Sequence, residues 1–203
     1  MRESRIALSL SLATMLAAPG LGFAQATGPQ HTPPRTDQEM MENAMSAGPR
    51  AVAEGATIVA MNEQGEMRTL REGRNGFTCM PDNPMSPGND PMCLDKNAME
   101  WAQAWMSRKE PPAGRVGLAY MLAGGSDANN DDPYATTPEP GHQWIDTGPH
   151  IMILNATDMM EGYPRTAENP RVPYVMWGNT PYAHLMVPVG EPPQPQVSET
   201  PSR

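Results

Sequence analysis

Two short apolar segments near the carboxyl end of the chain each combine a histidine with a methionine two residues later. His150 precedes Met152, and His184 precedes Met186. Side chains two residues apart on a strand face the same side of a sheet, so each pair would share a face. Imidazole and thioether together are ligands that suit copper. If the two strands pair, the four side chains form a candidate copper site. The alternative is that both methionines fill the core and both histidines form hydrogen bonds at strand ends.

The long polar loop between 124 and 148 contains the densest group of carboxylate and amide side chains. Asp127, Asn129 and Asp131 have the spacing of the first three ligands of an EF-hand calcium loop. The chain lacks the glycine and the glutamate that such a loop needs at its sixth and twelfth positions. These three residues are therefore a candidate calcium site of another shape. The alternative is a turn-rich loop whose side chains bond to their own backbone.

The same loop is the place where a hydrolase-like site would lie, since Ser126 and His142 both belong to it. The chain has no Gly-x-Ser-x-Gly elbow, no phosphate-binding glycine-rich loop and no His-Glu-x-x-His motif. A catalytic group assembled from distant parts of a fold leaves no such motif, so the sequence leaves the question of enzymatic activity open. The leading interpretation is a non-enzymatic, exported, soluble domain that binds a small ligand or a protein partner.

Hydrophobic periodicity predicts an α+β fold, a single small domain with one amphipathic helix and a mainly antiparallel sheet of about six short strands joined by long loops. The helix is predicted from 96 to about 108, after the N-cap Asp95 and before two prolines that end it. Strands are predicted at 56–61, 67–71, 76–80, 115–122, 150–154, 172–177 and 184–189. The predicted organisation is a signal peptide at 1–26, a flexible N-terminal segment with a short helix at 27–55, the α+β domain at 56–189 and a disordered tail at 190–203.

The first 26 residues have the features of a secretory signal peptide. Arg2 and Arg5 precede an apolar stretch at 6–21, and Ala24 and Ala26 give the small-x-small pattern of a cleavage site. The sequence therefore predicts export to the periplasm or beyond the cell. No later stretch has the roughly 18 to 20 apolar residues of a spanning helix, so we expect no membrane span.

Export determines how the two cysteines are interpreted. Cys79 and Cys93 are the only cysteines, and an isolated pair in an oxidising compartment is expected to form a disulfide. Closing a loop of about 15 residues stabilises a protein by roughly 3 kcal/mol. The alternative, a pair of metal-binding thiolates, would supply only half of a tetrahedral zinc site.

The net charge and the methionine content indicate which classes of partner the protein could bind. The formal net charge is −9, and loss of the leader with Arg2, Arg5 and Glu3 makes it −10. So acidic a surface repels phosphate backbones, and we expect no nucleic-acid partner. The chain is methionine-rich, with 18 Met against 2 Phe, which indicates either that methionine serves as core filler or that some sulfurs bind a soft metal.

Five short motifs occur together between residues 78 and 184. They are Thr78-Cys79-Met80-Pro81-Asp82, Asp90-Pro91-Met92-Cys93, Tyr120-Met121-Leu122 with Gly124-Gly125-Ser126-Asp127, Gly148-Pro149-His150, and Met176-Trp177-Gly178 through Pro181-Tyr182-Ala183-His184. With these motifs the chain resembles a group of uncharacterised secreted bacterial proteins, over about residues 50 to 189. The resemblance implies a single domain and a secreted address but no activity, cofactor or catalytic residue.

Overall fold

The computed structural model describes residues 31–62 and 65–191. The predicted signal peptide and all but the first two residues of the predicted tail lie outside these ranges. No helix in the described part of the chain is long and apolar enough to cross a membrane.

The described residues form three α-helices, one 3₁₀ turn and ten strands. The helices are α1 (Asp37–Ser46), α2 (Arg50–Ala53) and α3 (Lys96–Met106), and the 3₁₀ turn is Thr157–Met159. The strands are β1 (Thr57–Met61), β2 (Met67–Arg71), β3 (Thr78–Met80), β4 (Met92–Leu94), β5 (Gly117–Met121), β6 (Gly125–Asp127), β7 (Ile145–Thr147), β8 (His150–Leu154), β9 (Tyr174–Met176) and β10 (His184–Pro188).

Eight of these strands form one sheet in the order β2-β1-β3-β4-β5-β8-β10-β9. Only the β1–β3 pair is parallel within this sheet, and β6 pairs with β7 in a separate two-stranded ribbon. The α+β class and the mainly antiparallel sheet are therefore confirmed. The strand number is ten rather than about six, because β4, β6 and β7 are three residues long and too short to show an alternating pattern.

Helix α3 forms where its sequence predicts it. The Asp95 side chain caps it by accepting a hydrogen bond from the Ala98 N–H at 2.7 Å. Ala98, Trp101 and Ala102 are buried on one face, which packs against β5. The helix ends at Met106, two residues before the turn at Arg108, whose φ is 55°. This helix covers one face of the sheet and forms one wall of the site described below.

The predicted disulfide is present and links two neighbouring strands. Cys79 on β3 lies directly opposite Cys93 on β4, with 4.0 Å between their Cα atoms. Helix α1 covers the bond from the face opposite α3, with Ala44 and Ala47 fully buried in the same cluster as both cysteines. A capping box formed by Thr36 and Glu39 begins α1, so residues 31–55, predicted as a flexible segment with a short helix, contain two helices, α1 and α2.

Candidate functional site

Both histidines of the candidate copper site lie on the α3 face of the sheet. Strands β8 and β10 are antiparallel neighbours, and their register places Met152 directly opposite Met186. His150 and Met152 share this face, as do His184 and Met186, because each pair is two residues apart. Thus the structure brings the four predicted side chains onto one surface, in adjacent strands.

The register also separates the two imidazoles along the strands. His150 lies opposite Pro188, and His184 lies opposite Leu154, so the two histidine positions are offset by four residues. At about 3.3 Å per residue this offset is about 13 Å along the strand direction. The backbone therefore places the two methionines between the histidines.

Each histidine has a second methionine as its cross-strand neighbour, which the sequence analysis did not identify. Met121 on β5 is paired with His150, and Met176 on β9 is paired with His184. Met121 lies in the segment 115–122 that was predicted as a strand, but the partner of this strand could not be chosen from the sequence. The face consequently contains a continuous group of thioether and imidazole side chains.

A cavity of about 480 Å³ lies between this face and α3. Aromatic rings form much of its wall. Trp101 and Trp177 are nearly parallel with ring centroids 6.2 Å apart, and Trp105 lies 5.4 Å from Trp177 and 6.4 Å from Tyr134. The indole N–H of Trp101 is buried and has no hydrogen-bond partner within the described residues. This volume falls in the range of small-molecule sites.

His150 is held as a neutral ring with one nitrogen unused. Its side chain is 1% exposed, and Nδ1 lies 2.7 Å from the carbonyl oxygen of Gly148. A carbonyl only accepts, so Nδ1 carries the proton and Nε2 carries a lone pair. Nε2 is buried without a partner among the residues that the structure describes. Burial lowers the pKa of His150 to about 4, although the bond to Gly148 opposes this shift.

His184 has the same arrangement in a more aromatic environment. Nδ1 lies 2.9 Å from the carbonyl oxygen of Tyr182, and the ring stands edge-on to Trp101 and Trp177, at centroid distances of 5.4 and 5.0 Å. Burial, with a smaller contribution from the charge of His150, lowers the pKa of His184 to about 4, although the bond to Tyr182 opposes this shift. The sequence-based alternative, histidines bonded at strand ends, thus accounts for Nδ1 of both rings but not for Nε2 of His150.

A pair of carboxyl groups lies at the His150 end of the cavity. Asp90 accepts a hydrogen bond from the Ser126 N–H at 2.8 Å and another from the Ser86 hydroxyl, and burial raises its pKa to about 6. Burial and the charge of Asp90 raise the pKa of Asp127 to about 7. The Asp127 carboxyl accepts no hydrogen bond within the described ranges, although it lines the cavity. Asp90 lies in the proline-rich disulfide loop, and no sequence signal marked it.

Glycine at 125 allows strand β6 to lie against His150. A Cβ at this position would stand 2.9 Å from Met121 Cε and 3.3 Å from His150 Cε1. Both distances are shorter than ordinary contact, so a larger residue would displace one of these groups. The same Cβ position on Gly125 lies 3.8 Å from Asp90 Oδ1. A thioether, an imidazole and a carboxylate therefore surround this one backbone position.

The three candidate calcium residues differ in their surroundings. The Asn129 side-chain oxygen accepts hydrogen bonds from the N–H groups of Asp131 and Asp132, at 2.7 and 3.1 Å, as in an Asx turn. Asp131 is exposed, whereas Asp127 lines the cavity. Within 31–62 and 65–191, no group of three or more His, Cys, Asp or Glu side chains is placed to hold a metal ion.

The loop from Ser126 to His142 does not form a nucleophile–base pair in the described residues. The Ser126 hydroxyl donates to Asp146 at 3.0 Å, and the His142 side chain is exposed in the loop. No hydrogen bond joins Ser126 to either His142 or His150 in this part of the chain. The arrangement therefore lacks the contact that activates a serine nucleophile.

We compared the chain with protein-family models, with curated proteins and with solved structures, and it matches none of them.

Proposed function

We propose that this is an exported binding protein whose ligand is a small organic cation with an apolar body, held in the cavity between the sheet and α3. The volume of about 480 Å³ accommodates such a molecule, and the aromatic and thioether walls would contact its apolar part. The predicted leader and the disulfide support export.

The observation that carries the proposal is the state of Asp127. Its half-buried carboxyl group lines the cavity, accepts no hydrogen bond within the described residues and has a pKa raised to about 7 by burial and by Asp90. A partly desolvated carboxylate without donors is unfavourable unless a cation or a donor approaches it. A bound ammonium group would supply both the charge and the donors.

The surrounding groups support the same ligand chemistry. The thioethers are weak acceptors, so an ammonium donor suits this end of the cavity. Indole rings attract cations at their faces, and Trp101, Trp105 and Trp177 all line the cavity. The unpaired Trp101 N–H provides one position for an acceptor on the ligand.

A fluorescence titration with a matched pair of probes tests the proposal. We expect 2-phenylethylamine to change the indole fluorescence at pH 8 and to bind at least about tenfold more tightly than its neutral analogue 2-phenylethanol, because one desolvated ion contact is worth about 1.4 kcal/mol or more. Asp127→Asn should remove this preference, whereas the exposed control Asp131→Asn should keep it. Equal binding of amine and alcohol, or no response to either, would contradict the proposal.

The export part has its own measurement. We expect the secreted or periplasmic protein to begin at Thr27, as cleavage after Ala26 requires, when its amino terminus is determined by mass spectrometry. Recovery of an uncleaved chain in the cytoplasm would contradict export without affecting the cavity.

A further inference from the structure

We propose a second ligand site in this protein: a single Cu(I) ion bound by His150 Nε2 and the sulfurs of Met121, Met152 and Met186. The site lies on the sheet side of the cavity and does not depend on an organic ligand. It differs from the set predicted from sequence, in which His184 stood in the place of Met121.

The sheet register brings these four side chains together. His150 is opposite Met121 across β8 and β5, and Met152 is opposite Met186 across β8 and β10. Opposite residues in antiparallel strands have Cβ atoms about 4.5–5.5 Å apart, and His150 and Met152 are next neighbours on the same face of β8. Met121 and Met186 therefore lie on the two strands that flank β8, next to His150 and Met152 respectively, whereas His184 lies one further step along β10. We call these four positions the block.

Two of the four side chains lie close to one position on β6. Met121 Cε and His150 Cε1 lie 2.9 and 3.3 Å from the position that a Cβ on Gly125 would occupy. The four side chains are also enclosed, since their exposed fractions are 7% for Met121, 1% for His150, 9% for Met152 and 1% for Met186. A metal bound here would be shielded from competing water.

The hydrogen bonding of His150 matches that of a metal-ligating histidine. Ligating histidines usually donate their other ring N–H to a carbonyl or carboxylate, which fixes the ring and the tautomer. His150 does so through Nδ1 to Gly148, and its Nε2 is an orphan buried acceptor in the described structure. In a metal-free core this nitrogen loses its hydrogen bond to water without replacement, a cost that a coordinated ion removes.

The donor set selects a soft ion of low charge. Thioether and imidazole ligands favour Cu(I), whereas calcium and magnesium need oxygen ligands and structural zinc sites use thiolate or imidazole. All four proposed ligands are neutral, so a +1 ion is less costly to bury than a +2 ion. The carboxyl groups of Asp90 and Asp127 lie at the same end of the cavity and can balance the remaining charge.

An anaerobic Cu(I) titration of the full mature chain tests the site, with bicinchoninate as the competing chromophoric chelator. We expect one equivalent of Cu(I) to be withdrawn from the chelator. Met121→Leu and Met152→Leu should each weaken Cu(I) binding at least about tenfold, the effect of losing one ligand worth about 1.4 kcal/mol. Met176→Leu is the matched control, because it is a buried methionine on the same face outside the block, and it should bind within about threefold of wild type.

X-ray absorption of the Cu(I)-loaded wild type provides a test that needs no variant. We expect two or three sulfur ligands and one nitrogen ligand on copper. Failure of the wild type to compete with bicinchoninate, a Met121→Leu/Met152→Leu double variant that binds as tightly as wild type, or a copper spectrum without sulfur would each overturn the proposal. The phenylethylamine titration uses copper-free protein, so its outcome is independent of this one.

Discussion

Burial of uncharged histidines should make this fold sensitive to mild acid, and His150 is the residue at which the effect can be isolated. In the unfolded chain an imidazole has a pKa near 6.5, whereas burial lowers the pKa of His150 in the folded protein to about 4. Between these values the unfolded state binds a proton that the folded state does not. The stabilisation is therefore complete above about pH 6.5 and is lost as the pH falls towards 4.

The size of the effect follows from the two pKa values. At pH 4.5 protonation of the unfolded imidazole lowers the free energy of unfolding by about 2.5 kcal/mol relative to pH 7.5. The raised pKa of Asp127 has the opposite sign, since its contribution is present below about pH 4 and is lost as the pH rises through about 7. The pH dependence of wild-type stability is thus a sum of opposing contributions. The contribution of His150 is obtained by comparing the wild type with a variant changed only at this position.

The variant is His150→Gln, measured without metal by urea unfolding at pH 7.5 and pH 4.5. Gln does not titrate. The unfolding free energy of the variant should therefore fall by about 2.5 kcal/mol less than that of the wild type between these two pH values. His142→Gln, in the exposed loop, is the control and should behave as wild type. A His150→Gln protein whose unfolding free energy follows the wild-type pH dependence would show that the buried imidazole accepts a proton as readily as a free one, and the argument from burial would be wrong.

Three further predictions concern the scaffold and the acidic end of the cavity. Reduction of the Cys79–Cys93 bond should lower the free energy of unfolding by about 3 kcal/mol, as measured by urea titration with and without reductant; an unchanged midpoint would contradict the loop-closure argument. Asp95→Ala removes the cap of α3 and should cost about 1 kcal/mol, seen as a lower Tm, whereas the exposed Asp131→Ala should leave Tm unchanged. Asp127→Asn should stabilise the protein by about 2 kcal/mol more at pH 8 than at pH 5, because only the ionised carboxyl is penalised by burial, and equal effects at both pH values would refute this.

Local patterns were sufficient for the elements whose signal is contained in a few consecutive residues. The α3 sequence combines a cap, an apolar face and a proline stop, and the helix begins at the predicted residue. Strands β8 and β10 are short apolar runs, and β8 has the bounds that were predicted. The disulfide followed from there being only two cysteines, and the structure confirms it. The helix and the strands were predictable because capping, apolar spacing and apolar runs involve residues that are close together in the sequence.

Which strands lie next to each other in the sheet could not be predicted, because strand pairing depends on contacts between residues far apart in the sequence. A period of two places His150 and Met152 on one face but says nothing about which strand lies beside them. Register alone decides that Met121 faces His150 and that His184 is offset from it by four residues. Strands β6 and β7 were missed because segments of three mostly polar residues become strands only when they pair with each other.

The sequence by itself determined the α+β class, the disulfide, the main helix and the fact that each histidine shares a face with the methionine two residues later, because each depends on short-range periodicity or on composition. Only the tertiary structure decided that this face borders a cavity, that Asp90 and Asp127 share it, and that Nε2 of His150 is left without a partner. The reason is that solvent exclusion and hydrogen-bond satisfaction are properties of the packed assembly. A side chain acquires an unusual pKa or an unused lone pair only when residues far away in the sequence enclose it.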